Sequence, residues 1–208
     1  MTPEAIAALF TRTDGSYFFS RWDRPIVPVV FGGDDKTLSI FKGAFEAIVT
    51  LAGHNMAEMD VELGANLMVF LIRDWDELLA VPGLNAIVPE LDRLCRRLQA
   101  QSANQYRLFR FDPLGTIRAA FVFLRMDAVL SDLPAMDLAL AQAAQVICLW
   151  SDQAFGTQSP LVKAGQVVIL RPDIAEVIRV AYDRSLPAHS VDRSHALRLF
   201  ARLNLAAG

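Results

Sequence analysis

The sequence predicts an α+β fold in which a mixed sheet of four or five strands is packed with helices on at least one face. Three observations carry that expectation. "ANLMVFLI" (65–72) is a near-continuous apolar run of strand length, which suits a strand covered on both faces. "NQYRLFRFDPLGTIRAAFVFLRM" (104–126) reads as two strands joined by a turn at "DPLG". The last third shows apolar residues at helical spacing. The order is therefore strand, helix, strand, helices, hairpin and three helices, an α+β layout.

Each element has a local reason. "SYFFSRW" (16–22) is the first strand candidate, and "RPIVPVVFGG" (24–33) follows, where Pro25 and Pro28 restrict pairing and suggest a sheet edge. Asp34 or Asp35 caps a helix running to about Leu51, with Leu38, Phe41, Phe45, Ile48 and Val49 at helical spacing and Gly53 as the stop. "HNMAEMDVELG" (54–64) is a connector. After "DWDE" (74–77) come a short helix, a turn at Pro82 and Gly83, and a longer helix after Pro89 whose inward stripe is Leu91, Leu94, Cys95 and Leu98. Helices are expected from Ala135 to about Trp150, from Pro172 to Tyr182 and from Asp192 to Leu205, with "SDQAFGTQSPL" (151–161) as a loop. The 208 residues are expected to form one domain, with the segment 1–15 loosely packed against it.

Composition narrows the function. With 53% hydrophobic and 21% charged residues and a mean hydropathy of +0.31, long disordered stretches are not expected. A net charge of −3 and a pI near 5.6 argue against nucleic acid as a partner, because neutralising phosphates needs a basic surface. No apolar run reaches the roughly 18–20 residues of a membrane span. "MTPEAIAALFTRTDG" lacks a basic leader with an apolar core, so a cytoplasmic location is expected, or an exported one if a leader has been removed. Cys95 and Cys148 sit in apolar helical patterns and are expected to be free thiols.

The helix "LALAQAAQVICLW" (138–150) poses the functional question, because it carries Gln142 and Gln145 on otherwise small and apolar surroundings. In HExxH zinc peptidases two histidines at i and i+4 bind one ion and the glutamate between them activates water. On that frame Ala141 and Gln145 occupy the ligand positions and Gln142 the position of the base. Alanine has no donor atom, and a neutral amide cannot act as the base. The series "RW...PI.V", "ANLMVFL", the aromatic hairpin, "LAQAAQVICLWSD" and "VIRVAYDRSLPAHSVDRSHAL" resembles a bacterial family of uncharacterised zincin-like proteins. That resemblance implies a metallopeptidase scaffold whose zinc motif has eroded, and also implies export, against the cytoplasmic reading of the chain itself. A plainer account of the helix is that its small residues permit close packing while the glutamines satisfy backbone groups or face solvent.

The remaining candidates are weaker. His189, Asp192 and His195 have the spacing of a loop entering a helix rather than one ligand face, and His54 follows a helix end. "FGGDDKT" (31–37) lacks the endings of a phosphate loop, no G-x-S-x-G elbow occurs, and Cys148 is too apolar in context for a nucleophile. Arg107, Arg110, Arg118 and Arg125 punctuate the hairpin, and strand alternation is expected to gather them into a basic side. Arg110 and Arg118 are then the anion contacts to expect, unless they pair with Asp112, Asp127 or the acids of "DWDE".

The expectation is a non-catalytic zincin-like domain that binds a peptide or protein segment, with Gln142, Gln145 and Asp152 lining the vestigial cleft. No residue is assigned a catalytic role, and no metal or cofactor is expected. The alternatives are a hydrolase whose groups come from several loops, and an assembly subunit. The hydrolase needs a pocket holding carboxylates or a perturbed histidine, and the subunit a large exposed apolar patch.

Overall fold

The computed structural model describes residues 1–206. The chain opens with α1 (Pro3–Ala8), whose first turn is closed by the Thr2 hydroxyl accepting from the Ala5 amide at 3.2 Å. The expectation of a loosely packed segment 1–15 is corrected here: Ile6 and Phe10 are fully buried, and Phe10 stacks on Trp150 with ring centroids 5.2 Å apart. Ile6 lies on α1 and Phe10 in the turn that follows it, and both join the main core.

Next come β1 (Phe19–Ser20), β2 (Pro28–Phe31) and α2 (Asp35–Leu51). The Asp34 carboxylate accepts from the Thr37 amide at 2.8 Å, so the expected cap and both helix bounds are found. Then follow β3 (Leu67–Ile72), a 3-10 turn over Trp75–Ala80, α3 (Leu84–Ile87) and α4 (Leu91–Ala100). The hairpin is β4 (Gln105–Phe111) and β5 (Ile117–Arg125). The last third holds α5 (Ala128–Ser131), α6 (Ala135–Val146), β6 (Leu161–Ala164), β7 (Val167–Leu170), α7 (Pro172–Ala181), β8 (His189–Ser190) and α8 (His195–Ala206).

The main sheet has the order β2-β3-β5-β4, with β2, β3 and β5 parallel and β4 antiparallel on β5. The fold is α+β with a mixed four-stranded sheet. Its two central strands are apolar on both faces, as their sequences require. Leu67, Val69, Ala120, Val122 and Leu124 pack toward α2, α6, α7 and α8, whereas Phe70, Phe121 and Phe123 pack toward Trp75, Leu78, Leu91, Cys95 and Leu98. Both faces are thus covered by helices, and Pro28 lies on an outer strand, where its missing amide costs no ladder bond.

Three strand pieces lie where no strand was expected. β6 and β7 form a hairpin across Gly165, whose φ of +63° turns the chain. β8 pairs with β1, so "SYFFSRW" contributes two residues to a separate small sheet rather than a strand of the main one. The helix expected to reach Trp150 stops at Val146, because Cys148 leaves it to bridge Arg21. Both cysteines are free and buried. Among the described residues no helix is long and apolar enough to cross a membrane.

Candidate functional site

Side chains from distant parts of the sequence anchor the C-terminal end of α6. A helix leaves its last carbonyls without intrahelical donors, and here three buried aromatic side chains supply them. Trp150 Nε1 donates to the Ala144 carbonyl at 2.8 Å, Trp22 Nε1 to Val146 at 2.8 Å, and the Tyr182 hydroxyl to Ile147 at 2.7 Å. Burial holds the Tyr182 phenol well above its ordinary pKa, so it stays a donor. The "RW", "LWSD" and "AYDRS" stretches therefore converge on one helix end although 160 residues separate the first from the last.

With its end fixed, α6 presents Gln142 to β4. Gln142 is buried, at 1% exposure; its Oε1 accepts from Arg107 Nη2 at 2.6 Å and its Nε2 donates to Gln105 Oε1 at 3.4 Å. Arg107 Nη2 also donates to Gln105 Oε1 at 2.7 Å. Gln145, half-buried, turns back to its own helix and donates to the Ala141 carbonyl at 3.2 Å. Of the plain alternatives for the two glutamines, backbone satisfaction describes Gln145, but Gln142 instead serves the half-buried Arg107 guanidinium.

Asp152 is exposed and accepts from the Thr13 amide at 3.2 Å, from the Thr13 hydroxyl and from the Ser151 hydroxyl at 3.2 Å. These bonds hold its carboxyl below the usual range, the Thr13 hydroxyl contributing most. Gln142, Gln145 and Asp152 line one open cavity of about 860 Å³ together with Arg107, Phe109 and Ala141. The structure thus brings the three cleft residues together.

The arginines do not gather on one side. Arg107 pairs with Val122 and faces α6, whereas Arg110 pairs with Ala119 and faces the opposite layer; positions three apart on a strand fall on opposite faces. Arg110 and Arg118 are consequently not neighbours in an anion site. Arg110 Nη2 donates to the Ile87 carbonyl at 3.0 Å, and Arg118 makes a surface ion pair with Glu62 at 3.3 Å. Arg125 pairs with Asp127 at 3.4 Å. Arg110 lines a second cavity, of about 580 Å³, with Glu90, Arg93, Arg97, Tyr106 and Leu108.

Between the two cavities runs the free edge of β4. The Arg125 amide donates to the Asn104 carbonyl, which makes 104/125, 106/123, 108/121 and 110/119 the mutually bonded pairs of the ladder. The amides and carbonyls of Gln105, Arg107 and Phe109 therefore point outward, and among the described residues no strand pairs with them. Their side chains face the α6 cavity, and those of Tyr106, Leu108 and Arg110 face the other one.

The three histidines serve structure elsewhere. His54 Nε2 bonds the Arg24 carbonyl at 2.8 Å, His189 Nδ1 the Phe19 carbonyl at 2.9 Å, and His195 Nδ1 the Tyr17 hydroxyl at 2.9 Å. His195 is buried, and burial lowers its pKa to about 4, with Arg198 and Arg21 acting in the same direction and Asp192 against them. Burial pushes Cys148 up to about 12, which makes it a poor nucleophile. Among the described residues no three His, Cys, Asp or Glu side chains group as metal ligands.

Comparison of the chain with protein-family models, with curated proteins and with solved structures returned no match.

Proposed function

We propose that this chain is a non-catalytic, zincin-like domain that binds an extended peptide or protein segment along β4. The observation that carries the reading is the unpaired outer edge of β4 lying between two cavities. A segment added there pairs its backbone with Gln105, Arg107 and Phe109 and directs alternate side chains to the two cavities in turn. The zincin-like part of the proposal draws on the ordered motifs of the sequence alone. The loss of catalysis draws on Ala141, Gln142 and Gln145, which lack the donors and the base of the zinc frame. The two free, buried cysteines support a reducing, cytoplasmic setting as part of the same proposal.

A hydrolase draws less support. Asp152 is the one carboxylate among the residues lining the α6 cavity, it is engaged by Thr13 and Ser151, and no histidine lines that cavity.

The test is binding of a fluorescent pool of random hexapeptides by anisotropy, beside the same pool N-methylated at every residue. Methylation leaves the side chains and removes the amide donors that strand pairing uses. Binding of the first pool with at least a tenfold loss for the second is the expected result. Equal binding of both pools contradicts pairing along an edge, and binding of neither contradicts the peptide reading.

A further inference from the structure

We propose that the α6 cavity takes a carboxylate, held by the Arg107 guanidinium and oriented through Gln105 and Gln142. The peptide reading above enters only as the source of that group, either a free C terminus or an Asp or Glu side chain.

Arg107 is a charged group that the described residues leave without a counter-ion. Its Nη2 is shared between two neutral amide oxygens, those of Gln105 and Gln142, and no carboxylate lies within ion-pair distance of any of its nitrogens among the described residues. Its Nε is fully buried and has no hydrogen-bond partner. Burial lowers its pKa to about 10, which still leaves the group cationic at neutral pH. Arg107 is half-buried, and a cation partly withdrawn from water with only neutral acceptors is poorly compensated, so its surroundings favour an anion wherever one can reach it. Nη1 has no protein acceptor but is not among the fully buried atoms without a partner, so it is the nitrogen open to a ligand.

The cavity favours a carboxylate over a more highly charged anion. Arg12 adds a second, exposed guanidinium at the wall, but the walls also carry Phe109, Leu138, Leu149 and Phe155. One planar guanidinium against an apolar wall matches a planar monoanion with a hydrocarbon part. Gln142 fixes the plane of the guanidinium and is a positioning residue.

The test has two parts. The first titrates the isotopically labelled full chain with sodium benzoate at constant ionic strength, follows the Arg107 Nε–H resonance, and uses benzamide as the uncharged control. A saturable shift with benzoate and none with benzamide is expected. Gln142→Glu places a carboxylate against Arg107, so it is expected to weaken benzoate binding at least tenfold while keeping the guanidinium in place. Arg107→Gln should abolish binding, and if that variant does not fold the Gln142→Glu result decides. No shift, an equal shift with benzamide, or unchanged affinity in Gln142→Glu overturns the proposal.

The second part compares three hexapeptide pools: free C terminus without Asp or Glu, amidated without Asp or Glu, and amidated with one Glu. At least tenfold tighter binding of one carboxylate pool over the neutral pool supports the site and names its source. Equal binding of all three overturns the carboxylate inference and leaves strand pairing standing. Benzoate binding with no peptide binding leaves the carboxylate site standing and overturns the peptide reading.

Discussion

At the scale of single residues, Arg107 and Gln142 show how a polar group on an apolar helix acquires a reason only from its neighbour across the fold. The helical pattern makes Gln142 conspicuous, but its partner lies 35 residues earlier on a strand. Arg107 was visible as one of four hairpin arginines, and strand alternation, followed to its end, separates it from Arg110. What the sequence does not contain is the register of β4 against α6, which decides which of the two faces meets Gln142. His195 is a second case, because its spacing to Asp192 suggests a loop, whereas its ring is buried against Tyr17 and Phe19.

That burial has a measurable consequence. The folded-state pKa of His195 is depressed to about 4 from an ordinary value of 6.5. The unfolded chain therefore binds the proton more readily, and the stabilisation is full above about pH 6.5 and is lost as the pH falls toward 4. The ceiling is on the order of 3 kcal/mol. Denaturant midpoints measured from pH 7 to pH 4.5 should fall less steeply for His195→Gln than for the wild type. Parallel slopes would show that His195 is not buried in its neutral form.

Among the elements, those with strong periodicity match their expected places. Asp34 caps α2 and Leu51 ends it; Leu91, Cys95 and Leu98 form the buried face of α4; "DPLG" turns the hairpin. The elements that escaped are short. The β6 and β7 hairpin has four residues a side, and β1 and β8 have two each, too few to display a period. The early end of α6 is likewise a tertiary effect, set by the indoles and the phenol that take its last carbonyls.

One junction between elements is tight enough to predict a large effect. Gly32 closes β2 with a φ of +86°, and a Cβ there would sit 2.1 Å from the Leu71 carbonyl oxygen of β3. Gly53, after α2, also has a positive φ of +66° but nothing within 4 Å of such a Cβ. Gly53→Ala should cost about 1 kcal/mol from backbone conformation alone, and Gly32→Ala more than about 2 kcal/mol because strand backbone must move as well. Equal losses in chemical denaturation would mean that the β2-β3 junction yields easily.

On the scale of the whole molecule, the α+β class and the mixed four-stranded sheet were legible, since "ANLMVFLI" has the length and composition that suit a strand covered on both sides and the hairpin marks its own turn. Helices were expected on at least one face, and they cover both. The cavity was legible only in part: Gln142, Gln145 and Asp152 do line it, but Arg110 and Arg118 lie elsewhere and Arg107 takes the place beside Gln142. The free edge of β4 joins these parts, since unpaired backbone, both cavities and the Arg107 guanidinium meet there.

That edge is most directly tested by hydrogen exchange of the Gln105, Arg107 and Phe109 amides, free and with the random hexapeptide pool. The account predicts fast exchange in the free protein, because these amides face outward from the last strand, and slowed exchange at all three when peptide is bound. Slow exchange at all three in the free protein, or protection elsewhere with these three unchanged, would contradict it.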